Sequence, residues 1–120
     1  EHTEDHVLRL MSKPPFALFS VLRREFSRIA AREKLPYRIV PYFISSHPGC
    51  TLQDMKSLSK NKELRGIQLE QVQDFTPTPM TASSVMFYTG KDLSGRPVFV
   101  ERNIEGKKIQ KSLFFRKNAL

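Results

Sequence analysis

The chain has one cysteine, Cys50, no tryptophan, and only five glycines. A lone cysteine cannot close an internal disulfide, so no disulfide framework stabilises this sequence. Gly49, Gly66, Gly90, Gly95 and Gly106 are too dispersed to build a glycine-rich phosphate loop. Purely apolar runs are only a few residues long, such as Tyr42 to Ile44, far below the roughly 18 needed to span a bilayer. Residues Glu1 to Asp5 are acidic where a secretory signal opens basic, and with unpaired cysteine usage this points to a reducing cytoplasm.

What is present suits one soluble globular domain or a piece of one: 120 residues, 39% hydrophobic and 27% charged. Twenty Lys and Arg against twelve Asp and Glu give +8 and raise the question of a polyanionic partner. The basic residues fall in three separated sets, around Arg23 to Arg32, Lys56 to Arg65 and Arg102 to Lys117, with acids interleaved. None forms the block of five or six like charges typical of a basic tail, so a solvated surface explains them better than a nucleic-acid face.

Helical and strand periods alternate along the chain. Thr3 is placed to cap a short helix holding Val7, Leu8, Leu10 and Met11, which Pro14 and Pro15 end. A second helix is expected from Pro15 to about Lys34, because Phe16, Phe19, Leu22, Phe26, Ile29 and Ala30 recur three or four apart; that stripe reads as core. Tyr37 to Ile44 is a nearly unbroken apolar run, the pattern of a parallel strand buried on both faces, with Pro41 as an irregularity. Thr51 and Asp54 form a capping box for a helix burying Leu52, Met55 and Leu58, and Ile67 to Phe75 follows as a second strand. Beyond Thr76, the spacing predicts a Thr81-capped helix to Phe87, a turn at Lys91 to Arg96, a short strand at Pro97 to Val100 and a basic helix from Gly106 to Arg116.

The fold class is therefore α/β. Strand, helix and strand make a right-handed crossover whose strands are parallel and whose carboxyl ends lie together, where ligands bind in parallel sheets. That geometry nominates Ser45, Ser46, His47, Gln73, Asp74 and Thr76. Two strands cannot cover both faces of such a sheet, so the chain reads as a fragment. An exposed sheet edge predicts self-association, a capping helix or a mobile C-terminal tail.

Other chemistry is thinner. His2 and His6 are four apart and could share a helix face for a metal, but two imidazoles without a third ligand bind poorly. Cys50, at a helix N-terminus beside His47, would have a lowered pKa if it were a nucleophile, yet no oriented base completes the set. Phe114 and Phe115 beside Arg116 and Lys117 could stack on RNA bases, although aromatics in a terminal helix more often pack.

Three stretches, in order, resemble the second half of a radical S-adenosylmethionine (radical SAM) barrel. Glu1-His2-Thr3-Glu4-Asp5-His6 with the helix to Met11 resembles the loop after the fourth strand. Ser45-Ser46-His47-Pro48-Gly49-Cys50-Thr51-Leu52-Gln53-Asp54 resembles the fifth strand's end, where tRNA methylthiotransferases and relatives carry a Gly-Phe-Pro-Gly-Glu-Thr-like turn. Gln73-Asp74-Phe75-Thr76-Pro77-Thr78-Pro79-Met80-Thr81 resembles their Tyr-Ser-Pro-Arg-Pro-Gly-Thr-like turn, with Thr78 for Arg and Met80 for Gly. The overall pattern is most similar to the YgiQ-type subfamily.

The resemblance implies a partial radical SAM barrel over residues 1–80, followed by an irregular C-terminal extension at 81–120. It implies an iron–sulfur oxidoreductase with a 4Fe-4S cluster on a CxxxCxxC loop and S-adenosylmethionine across the strand ends. This chain lacks that loop, so it is expected to hold no metal or cofactor alone and to be inactive alone, its partner being the N-terminal remainder of the same polypeptide. The resemblance places Ser45, Ser46, His47, Phe75 and Thr76 at the cofactor and Glu1, His2, Gln73 and Asp74 at the substrate. It names neither a catalytic residue nor the substrate. The alternative reading is a basic RNA-binding module.

Overall fold

The computed structural model describes residues 1–115 and resolves the alternation of periods into five α-helices and a two-stranded parallel sheet. Helix α1 spans Asp5–Leu10. Its N-cap is Glu4 and not the expected Thr3, whose hydroxyl donates to the Glu4 carboxylate at 3.2 Å. Helix α2, Ala17–Arg32, starts where the Asp5 carboxylate accepts the Phe16 N–H at 2.8 Å. No residue of α2 is buried. The expected core stripe is therefore only half engaged: Phe16 and Phe19 stack at 5.5 Å and pack against the core, while Leu22 and Ile29 are 58% and 41% exposed.

Strand β1 covers Tyr42–Ser45 and β2 covers Gln71–Asp74. Both are shorter than their apolar runs. Pro41 has no N–H to donate to a ladder, so regular pairing begins only after it, and β2 can be no longer than the register β1 offers. That register is parallel, pairing Tyr42 with Gln71 and Ser45 with Asp74.

Helix α3, Leu52–Lys60, makes the crossover. Its capping box forms as the residues predict: Thr51 Oγ1 accepts the Asp54 N–H at 3.2 Å, and Asp54 accepts the Thr51 N–H at 2.8 Å. Met55 and Leu58 are fully buried, but Leu52 is 38% exposed, because it opens the helix ahead of the turn that meets the sheet.

Helix α4, Ala82–Thr89, is capped by Thr81 and stopped by Gly90 in the left-handed region, where an L side chain would be strained. The expected strand at Pro97 to Val100 does not form. Instead a single bridge joins Lys91 to Pro97, and the Asp92 carboxylate accepts the N–H groups of Ser94 and Arg96 at 2.8 and 2.9 Å.

Helix α5, Ile104–Phe115, packs on α3 and both strands; Arg116, the last residue of the expected basic helix, and Lys117 beside it lie outside the described residues. It is pinned to α4 by Arg102 just ahead of it, whose guanidinium sits 4.9 Å over the Phe87 ring. Phe114 is fully buried against Phe43, 5.4 Å away, in one core with Val7, Cys50, Met55, Leu58, Leu64 and Leu69. Phe114 is thus a packing residue and not a base-stacking platform. Among the described residues no helix is long and apolar enough to cross a membrane.

Candidate functional site

The parallel register brings the two strand ends together. Ser45 Oγ donates to Asp74 Oδ1 at 2.8 Å, and the Phe75 N–H donates to the Ser45 carbonyl at 2.8 Å, carrying the pairing one residue past β2. On the other side of β1 the Ile44 N–H donates to the Glu1 carbonyl at 2.9 Å, so Glu1 meets the same corner. Here lies a cavity of about 330 Å³ bordered by Glu1, His47, Gln73, Asp74, Phe75 and Thr76, with Lys13 and Ser83. Three other nominated residues, His2, Ser45 and Ser46, are buried behind that wall at 2%, 0% and 0% exposure.

The polar wall is already partly committed. The Tyr42 hydroxyl donates to Gln73 Oε1, which leaves the Gln73 amide N–H groups for the cavity. Lys13 Nζ lies 3.2 Å from the Glu1 carboxylate, and Lys111 of α5 lies 3.8 Å from Asp74.

The turn after β1 is held from behind. Ser46 adopts φ 60°, sparsely populated for a residue with a Cβ, so its surroundings must hold it there. Gln110 of α5, 1% exposed, does so: its Oε1 accepts the Ser46 N–H at 3.0 Å and the Ser46 hydroxyl at 3.3 Å, while its Nε2 donates to the Cys50 carbonyl at 3.2 Å. The Gly49 N–H donates to the Phe99 carbonyl at 2.7 Å. Gly49 has φ 86°, where an L side chain is strained, and a Cβ there would fall 2.2 Å from Leu10 Cδ1 and push that side chain aside.

Cys50 is a buried thiol and not an activated one. Burial, with the nearby Asp54 and Glu4 charges, pushes its pKa up to about 12, outweighing the helix N-terminus and a hydrogen bond from the Ser46 backbone. Nor do His2 and His6 share a metal site, for they point to different partners. His2 Nδ1 accepts the Glu4 N–H at 3.1 Å, so Nε2 carries the proton, and it faces Cys50 Sγ at 3.4 Å. Burial pulls the His2 pKa down to about 4. His6 instead meets Asp54 Oδ1 at 3.0 Å. Burial works against the Asp54 charge, but hydrogen bonds from Thr51 and His6 hold its carboxyl below the ordinary range. No three His, Cys, Asp or Glu side chains converge as metal ligands among the described residues.

His47, 3% exposed, is oriented at both nitrogens. Nδ1 lies 2.9 Å from the Pro48 carbonyl, which can only accept, so Nδ1 bears the proton in the neutral ring. Nε2 is then the acceptor for the Ser83 hydroxyl at 2.7 Å. The ring meets Phe75 edge-on at 5.1 Å. Burial lowers the His47 pKa, against the Pro48 hydrogen bond and the Glu1 charge, so the ring is neutral at pH 7.

Ser83 and Gln110 escape a reading by motif. The available signals were local: Ser83 stands in the first turn after the Thr81 cap, and Gln110 precedes Phe114 by four residues on the same helix face.

Residues 70–119 match a family described as a domain of unknown function, DUF3362. The chain is 46% identical to a UPF0313 protein of Porphyromonas gingivalis over 96% of its own length and 18% of the relative's. It is 45% identical to a UPF0313 protein of Geobacter sulfurreducens, over 94% of this chain and 19% of the relative. The similarity reaches a UPF0313 protein of Methanocella arvoryzae, 38% identical over 98% of this chain and 20% of the relative. No solved structure matches the chain. The chain is thus homologous to a segment of the longer UPF0313 proteins and spans about a fifth of their length.

Proposed function

We propose, from that homology to a segment of longer proteins, that the chain works as part of a radical SAM iron–sulfur oxidoreductase and supplies late strands of its barrel. One observation carries the reading. The β1–α3–β2 crossover is parallel, and the turns after both strands, at His47 and at Asp74 to Thr76, border one cavity. Carboxyl strand ends are where parallel α/β folds bind their ligands. The order of the three turn motifs along the chain adds to it.

This segment's donor set does not suit an iron–sulfur cluster: Cys50 is the lone thiol, and burial keeps it protonated. The cluster, which on binding supplies the electron for cleaving S-adenosylmethionine, belongs to another part of the longer polypeptide. This segment's residues suit a nucleoside and a substrate better. Gln73 offers amide N–H donors, Glu1 and Asp74 offer carboxylate acceptors, and Phe75 offers a ring against His47. Ser45 and Ser46 act through the turn they shape, being buried behind the wall.

The test uses the full-length polypeptide that contains this segment. It is reconstituted anaerobically with iron and sulfide, and 5′-deoxyadenosine is measured under reducing conditions. The reading expects a visible cluster band, S-adenosylmethionine cleavage, and a loss of at least about tenfold with Asp74→Ala. A full-length protein that binds no cluster overturns it, as would a stoichiometric cluster on the isolated 120 residues.

A further inference from the structure

The radical SAM reading uses the His47 turn as cavity wall, but it gives no role to Ser83 or to the hydrogen bond between Ser83 and His47. Ser83 lies in the first turn of α4, half-buried, and its hydroxyl meets His47 Nε2 at 2.7 Å. The base is itself oriented, since the Pro48 carbonyl holds Nδ1–H at 2.9 Å. Both side chains border the same cavity as Lys13, Gln73, Glu1 and Asp74. A hydroxyl on an oriented imidazole, the imidazole on a fixed acceptor, and an open volume beside them make the arrangement of a proton-transfer pair.

We propose that Ser83 and His47 transfer a proton from an O–H or N–H group of a molecule bound in the strand-end cavity. Ser83 Oγ takes the proton of that group, and the Ser83 hydroxyl proton passes to His47 Nε2. The bound molecule is left with the electron pair of the broken bond, and the Lys13 ammonium and the Gln73 amide face the anion so formed. The imidazolium keeps its Nδ1–H bond to Pro48, and the Glu1 carboxylate charge favours it. Its ring is otherwise faced by the Phe75 edge, and Lys13 and Asp74 are the remaining charged groups of the cavity. Burial keeps His47 neutral and ready to accept at pH 7.

The proposal goes beyond the radical SAM reading and does not depend on it, so its test uses this chain without cluster or cofactor. A small fluorophosphonate replaces the unknown molecule. Ser83 Oγ bonds to phosphorus, the P–F bond breaks, fluoride leaves, and the hydroxyl proton goes to His47. Peptide mass spectrometry should find Ser83 modified about a hundredfold faster than exposed Ser94, the scale of general-base assistance. Ser83→Ala should abolish that adduct, and His47→Asn should reduce its rate to that of Ser94. The rate should be half-maximal below pH 6.5, the ordinary histidine value. A Ser83 rate equal to that of Ser94, or a midpoint above 6.5, overturns the proposal. If His47→Asn does not fold, the wild-type rates and their pH profile decide alone. In parallel, imidazole ¹⁵N spectra should show the Nδ1–H tautomer, and the Nε2–H tautomer would sink it.

Discussion

Among the described residues, helices α2 and α5 are the longest, 16 and 12 residues, and they stand in opposite relations to the core. Helix α2 carries the plainer apolar stripe and buries no residue; α5 is mixed in character and buries Phe114 and Gln110. The cause is where each one docks. Helix α5 lies across α3 and both strands, so one ring fills the core and one amide locks the turn behind the cavity. Helix α2 touches the core through Phe16 and Phe19 at its start, and Ser20 and Arg23 tie it to Glu63. Past that point it stands off, leaving a cavity of about 490 Å³ beside Leu18, Leu22 and Tyr42. An apolar period names the face a helix will bury; it does not say that the same segment supplies the cover.

The comparison is broken most directly at Phe114. Phe114→Ala removes a fully buried ring and should cost about 3–5 kcal/mol, enough to threaten folding of a domain this size. Urea denaturation of the purified variant measures it. A loss below about 1 kcal/mol would mean that α5 does not close the core and the contrast with α2 is wrong.

A pH titration reaches the same network from its other end, where His2 meets Cys50, which contacts Gln110. The folded pKa of His2 is about 4, and an unfolded histidine sits near 6.5, so the unfolded chain binds the proton more readily. His2 therefore subtracts nothing above pH 6.5 and progressively destabilises the fold as the pH falls toward 4, by up to about 3 kcal/mol. Asp54, depressed below the ordinary carboxyl range, adds its loss only at lower pH still. His2→Asn should reduce the slope of stability between pH 6.5 and 4, leaving the share that buried His47 contributes with the same sign, and should leave the lower limb in place. An unchanged slope across that window would show that His2 is not buried neutral.

How much of this could be read beforehand follows the span of each interaction along the chain. The Thr51–Asp54 box and the Thr81 cap were legible because donor and acceptor lie three residues apart. The parallel crossover was legible because Tyr37 to Ile44 is rich in branched and aromatic residues and α3 is long enough to return the chain. Strand lengths were not, since Pro41 and the partner's register limit them, and neither is a property of one run. Leu52 misled because helical spacing fixes its face but not its height above the sheet. At the candidate site, His47, Gln73, Asp74 and Thr76 share a cavity wall, which strand-end geometry anticipates, and they are joined there by Glu1 and Phe75, which only the family resemblance had placed nearby. The partners that orient them come from 36 and 64 residues away, Ser83 for His47 and Gln110 for Ser46, and no local pattern encodes such pairs.

The smallest expected effect is the sharpest test of the α2 side. Leu22 is 58% exposed, so Leu22→Ala in this chain loses little burial and no hydrogen bond, and alanine favours a helix slightly more. The change in unfolding free energy should stay within about 0.5 kcal/mol, the scale of ordinary surface substitutions. The same substitution in a longer polypeptide that contains this segment distinguishes two reasons for the bare stripe. If the additional polypeptide covers the face, truncating the leucine there costs about 2–5 kcal/mol, as for a core residue. If the stripe faces water in both contexts, both losses stay small. A loss above about 1 kcal/mol in this chain alone, growing with protein concentration, would instead mean that a second copy covers α2 in solution. The contrast between the two helices would then belong to the monomer only.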